Sequence, residues 1–171
     1  MGEVILQNCK VPLENRLGAE GSGAAVFNSS MEWERSCILA SYLGAMERQI
    51  ETCINYANER RQFNKPIGKF QSVANKIVDM KVRLETARLI LYKVAWLKKT
   101  KGQAVMEAAI AKLYMSECWV QTCLDAIQIH GGYGYITEFE LERDLRDSIA
   151  SRIYSGTSEI QKNIIAHHLG L

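Results

Sequence analysis

Residues 39–57 read LASYLGAMERQIETCINYA, and within them Leu39, Leu43, Met46, Ile50, Cys53 and Ala57 recur at alternating four- and three-residue steps. That spacing lines the apolar side chains along one stripe of a helix with ~3.6 residues per turn. One apolar stripe among polar residues is the seam of a helix that packs in a bundle. The stretch therefore points to an all-α fold.

The neighbouring sequence extends the pattern. Upstream, Ser29 with Glu32 three residues later predicts a capping box that opens this first helix. Downstream, Pro66 biases Lys65 away from helical geometry and ends it. A second helix carries Phe70, Val73, Ile77, Met80, Leu84, Ala87, Leu91 and Val94 on one stripe and stops at a lysine cluster and Gly102. A third runs from about Gln103 to Ile129, with Ala104, Ala108, Ala111, Met115 and Cys118 facing inward, and Gly131-Gly132-Tyr133-Gly134-Tyr135 breaks it. Thr137 and Glu140 suggest another capping box, opening a shorter helix to about Ala150; Ser158 to His168 reads as the last helix, with Ile160, Ile164 and Ile165 apolar. Long helices joined by short connections predict an up-down four-helix bundle with short extra helices.

The beginning of the chain reads differently. Val4-Ile5-Leu6 and Cys9-Lys10-Val11-Pro12 look extended, and Leu17 to Gly23 is a glycine-rich turn. Such a segment cannot make a sheet by itself, so it is either a tail or the last strand of another domain. The expected division is 1–25 as that segment and 26–171 as the bundle.

Composition narrows the function. Lys+Arg 21 against Asp+Glu 19 gives +2, which argues against nucleic acid as a partner. The five cysteines are odd in number and lack CxxC spacing. Four of them sit in helical patterns, where a reduced cysteine behaves as a small buried hydrophobe, and this fits a reducing compartment. No apolar run approaches the ~20 residues needed to span a bilayer, and no signal-peptide pattern appears. The expectation is a cytoplasmic protein with no membrane partner.

Three loops are dense in glycine and polar residues. In Glu59-Arg60-Arg61-Gln62-Phe63-Asn64-Lys65-Pro66, two arginines beside an aromatic could hold a phosphate and stack a planar group; a solvated helix end is the plainer reading. In Gln128-Ile129-His130-Gly131-Gly132-Tyr133-Gly134-Tyr135, glycines admit a ligand to the backbone, although a helix C-cap explains them as well. In the tail, Thr157 or Ser158 is an N-cap, and a helix N-terminus also receives anions. His130, His167 and His168 lack the spacing of a shared metal site, and there is no GxSxG nucleophile elbow. Glu32-Trp33-Glu34-Arg35 reads as first-turn dipole complements, or as a carboxylate base beside an aromatic.

These stretches occur together and in order. Arg60-Arg61-Gln62-Phe63-Asn64-Lys65-Pro66-Ile67, Gln71, Gln128 to Tyr135, Leu145-Arg146-Asp147 and Gly156-Thr157-Ser158-Glu159-Ile160-Gln161 resemble the C-terminal helical domain of acyl-CoA dehydrogenases. Val11 to Gly18 resembles the end of that family's middle β domain. The resemblance implies FAD between the β domain and this bundle. It implies that Arg60 and Gln71 contact the FAD of a partner subunit, that Gln128, Gly131 and Gly132 form the adenosine-diphosphate loop, and that Thr157 and Glu159 meet FAD at the last helix.

The family reaction is α,β-dehydrogenation of an acyl thioester: a carboxylate removes the α-proton while a hydride leaves to flavin. Many members place that carboxylate just before Gly-Thr, where this chain has Ser155. Isovaleryl-type and long-chain-type members instead place it before an arginine in the domain's first helix, which the resemblance maps onto Glu34, with Arg35 and Gly156 beside the substrate. The wording around Trp33 to Leu39 and Ser151 to Thr157 is most similar to dehydrogenases of polyketide and peptide-synthase pathways. Their acyl groups ride on CoA or on acyl carrier protein. The resemblance further implies a homodimer or homotetramer and little turnover by this domain alone, and it names no electron acceptor. A non-catalytic bundle that oligomerises or binds a partner is the alternative.

Overall fold

A computed structural model describes residues 2–171. The helices are α1 (Gly23–Cys37), α2 (Leu39–Glu59), α3 (Gln71–Lys101), α4 (Val105–His130), α5 (Gly132–Tyr135), α6 (Leu141–Ala150) and α7 (Ser158–Leu169). A two-stranded antiparallel ribbon, β1 (Arg61–Gln62) and β2 (Lys65–Pro66), joins α2 to α3. Phe63 and Asn64 at its tip both take positive φ, the geometry of a tight hairpin turn.

The core lies where α2, α3 and α4 meet, and α6 and α7 close over α4. The expected stripe of α2 is buried in full, as are Met80, Leu84, Ala87 and Val94 of α3. Ala104, Ala108 and Ala111 of the α4 seam are buried against its neighbours, where small side chains let helix backbones approach. Gly102, at φ 75°, ends α3 with its amide bonded to the Lys98 carbonyl, as the sequence predicted. No helix among the described residues is long and apolar enough to cross a membrane.

The local expectations fail in three places. The first helix begins at Gly23, not Ser29, and breaks at Ile38. Ser36 Oγ donates back to the carbonyls of Glu32 and Trp33, a bond that bends helices, and the Ser41 amide then bonds three residues back to Ile38. Thr137 opens only a three-residue 3-10 turn; Glu140 takes a left-handed conformation, and its carboxylate is held by Arg143 at 2.8 Å instead of capping the turn. Cys37 is exposed at the end of α1, whereas Cys53, Cys118 and Cys123 are buried as expected. Residues 3–12 form no strand among the described residues, and Val4, Ile5, Leu6 and Val11 stand exposed.

Candidate active site

Two polar centres stand at different places on the bundle. The first is built by α1 and the loop between α6 and α7. That loop turns on two positive-φ residues, Ser155 at 56° and Gly156 at 91°. A Cβ on Gly156 would stand 2.8 Å from Gln161 Nε2 and 3.2 Å from Ile160 Cγ2, so only glycine satisfies both the φ and the crowding. Two side chains hold the loop. Arg35 Nε donates to the Ser155 carbonyl at 3.0 Å, and Gln161 Nε2 donates to the Gly156 carbonyl at 2.8 Å and to that of Ser155 at 3.3 Å.

The clamped loop presents its serine to α1. Ser155 Oγ donates to Glu34 Oε1 at 2.5 Å, the length of a charge-assisted O–H···O⁻ bond. Glu34 is half-buried, and its Oε2 makes no hydrogen bond among the described residues. Beneath the loop the Tyr42 hydroxyl donates to that of Tyr154, and the Tyr42 ring stacks on Trp119 with centroids 4.6 Å apart. Burial, reinforced by the Tyr154 contact and the nearby Glu34 charge, raises the Tyr42 phenol above its ordinary value and keeps it neutral.

Glu32 and Glu34, two residues apart, have separate fates. Glu32 Oε1 accepts the Ala104 amide at 2.8 Å and pairs with Lys98 Nζ at 2.9 Å, while Lys98 also sits over the Trp33 ring. Burial alone would raise the Glu32 carboxyl, but that amide and ammonium hold it below the ordinary carboxylate value. Glu32 Oε1 is thus committed to the start of α4 and to Lys98, whereas Glu34 Oε1 is bonded to the Ser155 hydroxyl of the clamped loop.

At the start of α7, Thr157 is the N-cap, its hydroxyl accepting the Ile160 amide at 3.4 Å. Glu159 lies exposed in the first turn; its own amide and the Thr157 hydroxyl lower its carboxyl, as suits a helix N-terminus.

The second centre is a cleft of about 560 Å³ lined by Tyr56, Arg60, Gln128, Gly131, Gly132 and Tyr133, among others. Arg60 lies over the Tyr133 ring at 5.7 Å, and Tyr56 stacks on His130 at 4.1 Å. His130 is buried with Nδ1 2.8 Å from the Ala126 carbonyl; Nε2 has no hydrogen-bond partner among the described residues, and burial lowers its pKa. The glycines here do unlike work. A Cβ on Gly134 would come 2.6 Å from the Ile127 carbonyl oxygen, so that residue serves helix packing, whereas Cβ atoms on Gly131 and Gly132 would meet nothing within 4 Å. The space beside Gly131 and Gly132 is open. With an arginine at one wall, it fits a phosphate-bearing group laid along the backbone.

The structure therefore brings Glu34, Arg35 and Gly156 together at one centre, with Thr157 and Glu159 beginning the helix that follows. It gathers Arg60, Gln128, Gly131 and Gly132 at the other. Gln71, the exposed first residue of α3, lines neither. Sequence reasoning gave no role to Gln161, Tyr133 or Lys112, a fully buried lysine whose Nζ has no hydrogen-bond partner among the described residues. Gln161 and Tyr133 stand within the quoted motifs; Lys112 falls one residue past the inward-facing Ala111, a polar residue at a seam, and that was its only signal.

The molecule is a helical bundle that carries a carboxylate bonded to a clamped loop at one centre and a glycine-walled cleft at another. Residues 21–170 match the family model of the acyl-CoA dehydrogenase C-terminal domain, and the chain belongs to that family. It is 48% identical over 170 residues to an L-prolyl-[peptidyl-carrier protein] dehydrogenase of Pseudomonas fluorescens, covering 99% of this chain and 45% of that protein. The crystal structure of the prolyl acyl carrier protein oxidase AnaB superposes with a TM-score of 0.92 at 61% identity, over 97% of this chain and 44% of that one. The structure of PigA with FAD and proline gives 0.89 at 49% identity, over 94% of this chain and 42% of that one. The chain spans less than half the length of these relatives.

Proposed function

We propose that this chain is the C-terminal domain of an FAD-dependent dehydrogenase that oxidises an acyl thioester, with Glu34 as the base that removes the α-proton. The observation that carries the reading is the Glu34–Ser155 contact: the serine at the usual base position is bonded to a carboxylate from another helix. Glu34 keeps Oε2 available for the proton, and the Tyr42 phenol beneath the loop, kept neutral by burial, adds no competing negative charge. Flavin, when bound, supplies the acceptor for the hydride that leaves the β-carbon.

The residues present fit such a cofactor. Gly131 and Gly132 leave open space along the backbone, Arg60 and Gln128 offer donors at the cleft, and the α7 N-terminus with Thr157 offers another polar end. In the family arrangement, Arg60 and Gln71 serve the flavin of a neighbouring subunit, which accounts for two centres on one chain. The relatives' names favour an acyl group, prolyl in particular, carried on a carrier protein over one carried on CoA.

Homo-oligomerisation belongs to the same reading. Val78, Val82, Leu89, Tyr92 and Trp96 form a second apolar stripe of α3 that faces solvent, each more than half exposed. The segment before α1, with its exposed Val4, Ile5, Leu6 and Val11, is assigned to the end of a middle β domain and its linker, while residues 23–25 of the expected 1–25 segment belong to α1. The protein is assigned to the cytoplasm.

The test is flavin reduction by an L-prolyl thioester of a carrier protein in the flavin-loaded enzyme. Glu34→Gln should slow it by about 10³-fold or more at unchanged flavin content, in the range of a lost general base. An unaffected rate would remove Glu34 from the mechanism. Glu32→Gln should instead lower stability, since it breaks the Lys98 and Ala104 contacts.

A further inference from the structure

We propose that Ser155 is a positioning residue for Glu34: its hydroxyl occupies one carboxylate oxygen and thereby aims the other. The proposal rests on the reading of Glu34 as the base. Three observations carry it. Ser155 Oγ donates to Glu34 Oε1 at 2.5 Å, which leaves Oε2 as the oxygen with no hydrogen bond among the described residues. Ser155 has a φ of 56°, a conformation unfavourable to a non-glycine residue, and the loop stays there because its carbonyl accepts from both Arg35 and Gln161. The clamp is anchored in the core, since Gln161 is fully buried.

The physical logic is one of freedom removed. A glutamate on a helix has three side-chain torsions and a two-fold carboxylate, so its basic oxygen samples many positions when unrestrained. A hydrogen bond to one oxygen from a residue that is itself fixed leaves a single orientation, and orientation of a proton acceptor feeds directly into the rate. Arg35 takes part through the Ser155 carbonyl, so one helical turn carries both the base and an arm that fixes its partner. The serine's backbone strain is retained for its side chain: glycine would adopt the same φ at no cost but would donate nothing.

The test compares Ser155→Ala with Ser155→Gly. Both remove the donor; alanine keeps the backbone strain and glycine relieves it. The first readout is infrared difference spectroscopy of the purified chain, with the Glu34 carboxylate stretch identified by its loss in Glu34→Gln. Both Ser155 variants should shift that band. In the flavin-loaded enzyme, kcat should fall about tenfold in both at unchanged KM, the size of effect expected for a displaced reacting group. The proposal is overturned if the band stays in place, if it shifts while kcat is unchanged, or if the glycine variant keeps full kcat while only alanine loses it. That last outcome would make residue 155 a matter of backbone conformation. Full activity in Glu34→Gln would refute the base assignment separately, and the band would still report the contact.

Discussion

Gly156 and Gly131 both follow or precede a helix end and both have positive φ, yet the space around them is opposite. At Gly156 the missing side chain is replaced by protein: Gln161 and Ile160 close in, and Arg35 NH2 stands 3.6 Å from where a Cβ would be. At Gly131 nothing protein-made comes within 4 Å. One glycine lets the chain fold tightly on itself so that a side chain can be aimed. The other holds the chain back from a space large enough for a ligand. The same residue type thus marks a built centre and an open one, and only the neighbours distinguish them.

The sharpest break of that contrast is alanine at each position. Gly156→Ala should cost about 3 kcal/mol of unfolding free energy, combining left-handed strain with crowding against Gln161 and Ile160, read by denaturant unfolding of the isolated chain. Gly131→Ala, at φ 60° and ψ −133°, meets backbone strain alone and should cost about 2 kcal/mol. Equal losses would erase the distinction between the two loops.

A second prediction concerns what lies under the built centre. Lys112 of α4 is buried with no hydrogen-bond partner among the described residues; burial, joined by Arg35 of α1 and opposed by Glu117 of α4 and Glu159 of α7, lowers its pKa from 10.5 to about 8. Below pH 8 both folded and unfolded chains carry the proton, and the cost of the buried ammonium is present in full. Between about 8 and 10.5 the unfolded chain binds more protons, so stability rises with pH, by up to about 3 kcal/mol. Lys112→Met should be more stable at neutral pH and lack that rise in a pH series of urea unfolding curves. A parent chain whose stability is flat from pH 8 to 10 would contradict it.

The smallest effect belongs to the open centre. Arg60→Gln should weaken FAD binding about tenfold while leaving chain stability within about 0.5 kcal/mol, because the side chain is exposed and its contact is the Tyr133 ring. Titration of flavin fluorescence against the assembled enzyme measures it. A loss of stability in place of affinity would move Arg60 from the ligand side to the fold.

Much of the bundle was legible because burial imposes a period. The α2 and α3 stripes and the Gly102 stop needed only apolar spacing and one positive-φ position, and Thr157 as N-cap needed only its place before a helix. The capping boxes at Ser29 and Thr137 misled because the carboxylates they required are taken elsewhere: Glu32 by Lys98 and the Ala104 amide, Glu140 by Arg143. Local grammar proposes partners within four residues, and in both cases a competing ion pair won.

By itself, then, the sequence determined an all-α bundle and its family, and it singled out Glu34 as the candidate carboxylate for the one absent at residue 155. Both kinds of signal are local: a helical period repeats within a few turns, and a motif is a run of adjacent residues. Only the tertiary structure decided that Ser155 and Glu34 touch, that Arg35 and Gln161 hold the loop between them, and that Gly131 faces open space where Gly156 does not. The Glu34 and Arg35 contacts to Ser155 join residues about 120 positions apart, and they form because α7 and the loop before it fold over α4 beside α1. A contact that depends on how three helices pack leaves no period and no adjacent motif to read.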